Sequence, residues 1–163
     1  MKNNINDILI AMIKYFENDV RRINHALKVY AFARSIGEKE GLHGEELYIL
    51  EAASILHDIG IKVSEEKYNS SAGNYQEIEG PGVSRELLYP FQLEEKILDR
   101  ICFLIGNHHS YSKIDQLDFQ ILVEADFLVN IYEDNIEKKN IATVKEKCFK
   151  TKTGIEYLNS MYL

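Results

Sequence analysis

Four residues stand out because each is costly to bury and the sequence pattern turns each one inward. His25 falls in the stripe His25, Val29, Phe32 and Ile36, whose steps of four, three and four residues put it on the apolar face of a helix. His57 and Asp58 sit in the run Ala52-Ala53-Ser54-Ile55-Leu56-His57-Asp58-Ile59-Gly60, apolar on both sides of the pair. Asp126 repeats the anomaly within Ile121-Leu122-Val123-Glu124-Ala125-Asp126-Phe127-Leu128-Val129. A carboxylate in a low-dielectric interior must be paired, protonated or bound to a metal. Taken singly, the histidine reads as a hydrogen-bonded core residue and the aspartates as helix caps or partners of arginine. Taken together, His25, His57, Asp58 and Asp126 supply two imidazole nitrogens and two carboxylate oxygens. That mixed set suits a divalent ion such as Mn, Fe, Co, Ni, Zn or Mg and leaves coordination positions open to water. The chemistry such an ion supports is phosphoryl-oxygen polarisation and generation of a hydroxide nucleophile near neutral pH.

These residues need helices to hold them. Only two prolines occur, Pro81 and Pro90, and apolar residues recur at three- and four-residue steps almost throughout, so the chain is expected to be all-helical. Helices are expected over about 5–16, from an Asp19 N-cap to a Gly41 stop, over 44–59 ending at Gly60, over 82–88, over 93–108, over 117–132, and over 141–158 with a break near 151–154. The polar stretch 61–79 reads as a long loop and a candidate lid. Glu124, Asp126 and Asn130 lie inside the apolar wall of the 117–132 helix.

A length of 163 residues favours one domain over 1–163, large enough to form a core without disulfides or structural metal. The 45% apolar and 28% charged composition is that of a folding globular chain. The net charge of −7 disfavours nucleic-acid polymers and anionic membranes as partners, and no apolar run has the length of a membrane span. Cys102 and Cys148 match no metal spacing and read as thiols in a reducing compartment, so a cytoplasmic location is expected. His43 reads as an exposed interhelical residue. The apolar C-terminus, Tyr157, Leu158, Met161, Tyr162 and Leu163, could dock on the same chain or on a second copy as a homodimer.

The order His25, then His57-Asp58, then Asp126, on successive helices, resembles the HD-domain superfamily of metal-dependent phosphohydrolases. Asn24-His25-Ala26-Leu27-Lys28-Val29 resembles the first histidine helix of that family, and Leu56-His57-Asp58-Ile59-Gly60 its signature helix end; the likeness spans about residues 20–132. It implies a compact helical bundle, with the metal between the second, third and Asp126-bearing helices, and a nucleotide as the favoured class of small phosphorylated substrate. Ile105-Gly106-Asn107-His108-His109 resembles a later histidine segment of relatives that hold two metals, with His108 the matching residue. Glu79 to Leu88 resembles the helix that in those relatives follows a further histidine. Here no histidine lies between His57 and His108; Gln76, Glu77 or Glu79 takes the neighbourhood, so one metal site is expected and a second is not supported.

Within that chemistry Asp58 would bridge metal and water. His108 would act as a ligand, a phosphate donor or the acid for the leaving oxygen. Lys62, soon after the His57-Asp58 pair, and Arg22, three residues before His25, are the cations expected at the phosphoryl oxygens; both could equally be surface charges. Two other classes fit the same residues. A regulatory module without turnover would explain the missing histidine. A di-iron oxygenase would need six ligands, where five are clear with His108.

Overall fold

The computed structural model describes residues 4–163. In chain order the helices are α1 (Ile5–Phe16), α2 (Val20–Lys39), α3 (Gly44–Leu56), α4 (Ile61–Tyr68), α5 (Gly73–Leu88), α6 (Glu95–Ile105), α7 (Leu117–Glu133), α8 (Lys138–Cys148) and α9 (Lys152–Tyr162). Single 3₁₀ turns cover Tyr89–Phe91 and Tyr111–Lys113, and the described residues contain no strand. None of these helices is long and apolar enough to cross a membrane.

Local chemistry sets the main boundaries. Asp19 Oδ1 accepts from the Arg22 amide at 3.3 Å and so caps α2, and Gly41 takes φ 93° just beyond that helix. Buried faces then choose the packing. In α3 every residue from Ile49 to Leu56 is buried, as are residues 121–126 of α7. Both helices are therefore central, and α2 packs against the two of them. Val29, Ala33, Ile36, Leu50, Ile55, Leu122 and Ala125 belong to the one hydrophobic cluster that results.

The expected loop and lid at 61–79 is instead a helical hairpin: α4 and α5 cover most of it, and residues 69–72 alone lie outside helix. The two helices are fastened by polar and aromatic contacts rather than by an apolar stripe, which is why the stretch reads as loop. The Tyr68 and Tyr75 rings stack at 4.2 Å, and Glu79 accepts from the Tyr68 hydroxyl at 2.8 Å and from Lys67 at 3.2 Å. Asn69 takes the left-handed conformation that ends α4. Pro81 lies inside α5, so the helix expected from Gly82 begins a full nine residues earlier, at Gly73.

Gly60 corrects a second expectation. Helix α3 stops at Leu56 rather than running to Gly60, and Gly60, with φ −75°, precedes α4. Its Cβ would lie 2.7 Å from both the Gln76 carbonyl oxygen and the Gly80 nitrogen. The glycine is there so that α5 can pass against the His57-Asp58 turn.

The last expected helix divides at 149–151, where Thr151 Oγ1 accepts from the Gly154 amide at 2.9 Å and caps α9. Glu124, fully buried on α7, holds that turn. It accepts from the Thr151 hydroxyl at 2.6 Å and from the Lys150 and Thr151 amides at 3.1 Å. The C-terminal helix docks on its own chain, with the Tyr162 hydroxyl donating to the Leu128 carbonyl at 2.5 Å and Leu158 buried. Both cysteines are free.

Candidate metal centre

Helix α2 brings His25, the α3–α4 turn brings His57 and Asp58, and α7 brings Asp126 to one point. His25 Nε2 lies 3.1 Å from His57 Nε2, 3.3 Å from Asp58 Oδ2 and 3.2 Å from Asp126 Oδ1. His57 Nε2 lies 3.3 Å from Asp58 Oδ2 and 3.4 Å from Asp126 Oδ1. Donor atoms with these separations stand about 2.0–2.4 Å from a common centre at tetrahedral or right-angle spacing, the length of bonds from imidazole and carboxylate to divalent ions.

The other ring nitrogens decide which atoms face that centre. His57 Nδ1 is 2.7 Å from the Ser54 carbonyl oxygen, and His108 Nδ1 is 2.7 Å from that of Ile105. A carbonyl only accepts, so each Nδ1 carries a proton and each Nε2 is the atom left to face the carboxylates. His25 is fixed likewise, with Nδ1 2.6 Å from Glu133 Oε1. Three Nε2 atoms thus converge on carboxylate oxygens, an arrangement that needs positive charge between them, either protons on the nitrogens or a metal ion. His108 Nε2 is the clearest case: it is buried without a hydrogen-bond partner, 3.4 Å from Asp58 Oδ1.

Titration follows the same electrostatics. Burial opposes charge on His25, but hydrogen bonds to Asp126 and Asp58 overcome it and push the imidazole up to about 10. Burial opposes charge on His57 as well, and the Asp58 and Asp126 charges raise it well above its ordinary value. Burial would raise both aspartates, yet the surrounding histidines hold Asp58 and Asp126 well below the usual carboxylate range. The cluster is built to keep both carboxylates ionised around positive charge, whether protons or a metal ion.

A second group touches the first through Asp58: one donor atom each from Asp58, His108 and His109 lie within 4.8 Å of one another. His109 stacks on His108 at 3.9 Å, and burial with the neighbouring His108 charge pushes it down to about 4. Its Nε2 faces Gln76 Oε1 at 3.3 Å, while the Gln76 amide donates to the Ser71 carbonyl at 2.6 Å. A cavity of about 170 Å³ opens onto His25 and Asp58, with Gln76, Ser71, Ile61 and Asn130 in its wall and no Phe, Tyr or Trp lining it.

Comparison with protein families gives a match to the HD domain over residues 22–147. The chain belongs to the HD-domain family. A crystal structure of a predicted HD superfamily hydrolase from an uncultured Thermotogales bacterium, at 1.45 Å resolution, shares the HD fold with a TM-score of 0.69 and 23% identity, over 96% of this chain and 84% of that one. Comparison with curated proteins gives no match.

The HD cluster gathers five residues singled out in the sequence: His25, His57, Asp58, Asp126 and His108. Arg22 reaches the cavity wall, but its guanidinium is held by Asp19 at 3.0 Å and by Glu65 at 2.5 Å. Lys62, expected at the phosphoryl group, is turned away to Tyr15: its ammonium donates to the Tyr15 carbonyl at 3.4 Å and lies 5.0 Å from the ring centre. Three residues of the site went unassigned in the sequence. Glu133 lies seven residues after Asp126, two turns along the same face of α7, and that spacing was the available signal. His109 adjoins His108. Gln76 could not be told from Glu77, which accepts from the Ser110 hydroxyl at 2.9 Å, or from Glu79.

Proposed function

We propose that this HD-domain protein is a metal-dependent phosphohydrolase. It would cleave a phosphate ester of a small soluble substrate, with a nucleotide the class that resemblance to stand-alone HD proteins favours. The observation that carries this reading is the convergence of three Nε2 atoms on Asp58 and Asp126, with His108 Nε2 buried and without a hydrogen-bond partner. His25, His57, Asp58 and Asp126 would hold one divalent ion, since no histidine lies between His57 and His108 to complete a second site beside Asp58, His108 and His109. When bound, the ion polarises a phosphoryl oxygen and acidifies a water enough to make it a nucleophile near neutral pH.

The chain's own residues do the rest. Ser54 and Glu133 lock the tautomers of His57 and His25, so their Nε2 atoms stay unprotonated toward the ion. Asp58 presents Oδ2 to those histidines and Oδ1 to His108, which places it to orient the nucleophile and pass its proton to His108 Nε2. His108 can then hold that proton for the leaving oxygen.

A phosphate-ester screen with Mn, Co, Ni, Fe, Zn or Mg added tests the proposal: wild type turns over at least one ester, and Asp58→Ala loses at least a thousandfold. Full activity in Asp58→Ala would falsify it. The missing histidine between His57 and His108 favours the second reading, a metal- or nucleotide-binding module without turnover, which predicts bound ligand and no hydrolysis across the same screen.

A further inference from the structure

We infer that Arg21, which the sequence pattern did not single out, is the residue that binds the phosphoryl oxygens of the substrate in the cavity beside the metal cluster. The inference rests on the phosphohydrolase reading and identifies its anion-binding group. The cavity wall carries the carboxylates of Asp58, Glu133 and Asp134, so an anionic substrate is repelled there unless a cation offsets them. The cations near the cavity differ in what already occupies them. Arg22 is bound to Asp19 and Glu65, Lys28 Nζ lies 3.5 Å from Glu133, and Lys62 sits on Tyr15. Arg21 lines the cavity, is exposed, and has no hydrogen bond or ion pair among the described residues.

Position agrees with availability. Arg21 precedes His25 by four residues on α2, so its side chain rises from the same helix face one turn, about 5.4 Å, from the metal-facing imidazole. A guanidinium in the wall of the cavity that also exposes His25 and Asp58 offers paired N–H donors to two phosphoryl oxygens. Arg22, one residue on, is the strut that ties α2 to α4 through Glu65.

The test uses metal-loaded full-length protein and inorganic phosphate as the probe, with isothermal titration calorimetry on wild type, Arg21→Gln, Arg21→Lys, Arg22→Gln and Lys96→Gln. Arg21→Gln should weaken phosphate binding about tenfold to a hundredfold and raise the KM for p-nitrophenyl phosphate in parallel, with metal content and Tm unchanged. Arg21→Lys should recover part of the loss. Arg22→Gln should lower Tm through the lost Asp19 and Glu65 contacts while keeping most of the phosphate affinity, and Lys96→Gln controls for net charge. Phosphate binding by Arg21→Gln equal to wild type, or a larger loss in Arg22→Gln, overturns the inference while leaving the phosphohydrolase reading intact. A metal-loaded wild type that neither binds phosphate nor hydrolyses any ester overturns both.

Discussion

Removing the Glu133 carboxylate should weaken metal binding without touching a metal-facing atom. Glu133 Oε1 is 2.6 Å from His25 Nδ1, and the Glu133 side chain is only 16% exposed. A short, largely shielded, charge-assisted hydrogen bond of this kind is worth about 1.5–3 kcal/mol. It acts on the metal through His25 in two ways: it fixes the proton on Nδ1, and it makes Nε2 more basic. Glu133→Ala should therefore raise the Kd for Mn about tenfold to a hundredfold, the range that 1.5–3 kcal/mol represents. Glu133→Gln, which keeps an acceptor oxygen but no charge, should fall between Ala and wild type. Competition against a fluorescent chelator at fixed pH measures all three. A Kd for Glu133→Ala within twofold of wild type, beside an Asp126→Ala variant that binds no metal, would refute the idea that His25 is a ligand oriented from α7.

The same electrostatics predict opposite pH responses for loaded and stripped protein. With His25 raised from its ordinary 6.5 to about 10, its imidazolium stabilises the metal-free fold fully below pH 6.5 and progressively less as pH rises toward 10. EDTA-treated protein should thus lose Tm between pH 7 and 10, whereas metal affinity should climb about tenfold per pH unit for each proton displaced; a flat affinity profile from pH 6 to 9 would count against ligation by His25. Glu124→Ala leaves the buried Thr151 amide and hydroxyl without their acceptor and should cost about 3–5 kcal/mol in urea unfolding, with metal content retained at room temperature. Gly60→Ala places a Cβ 2.7 Å from two backbone atoms of α5 and should cost about 1–3 kcal/mol, a Tm drop that Gly82→Ala, inside α5 with nothing within 4 Å, does not show.

The histidine–aspartate cluster was legible in the sequence because its residues break a rule: His25, His57, Asp58 and Asp126 are polar groups at positions whose neighbours are core. A buried polar residue inside an apolar period carries information that an exposed one does not. Asp126 shows how far that goes, and Glu124 where it stops. Both stand in the same apolar run, yet Asp126 faces the histidines and Glu124 faces the α8–α9 turn, a difference fixed by two residues of helical rotation and by helices that arrive later in the chain. The α4–α5 hairpin was illegible for the opposite reason. Its contacts are polar and aromatic, so no apolar stripe marks it, and Gly60 reads locally as a helix stop although the constraint comes from Gln76 and Gly80 across space. Lys62 and Arg22 were placed by sequence proximity to His57 and His25. Long cationic side chains go where carboxylates and rings lie, here Glu65, Asp19 and Tyr15.

Metal content tests the central claim most directly. Inductively coupled plasma mass spectrometry on purified wild type and Asp58→Ala, each after incubation with Mn, Co or Ni and removal of free ion, should find about one ion per chain in wild type and none in the variant. No metal in either protein would mean that His25, His57, Asp58 and Asp126 form a proton-linked polar network, and the account of this site as a metal centre would fall.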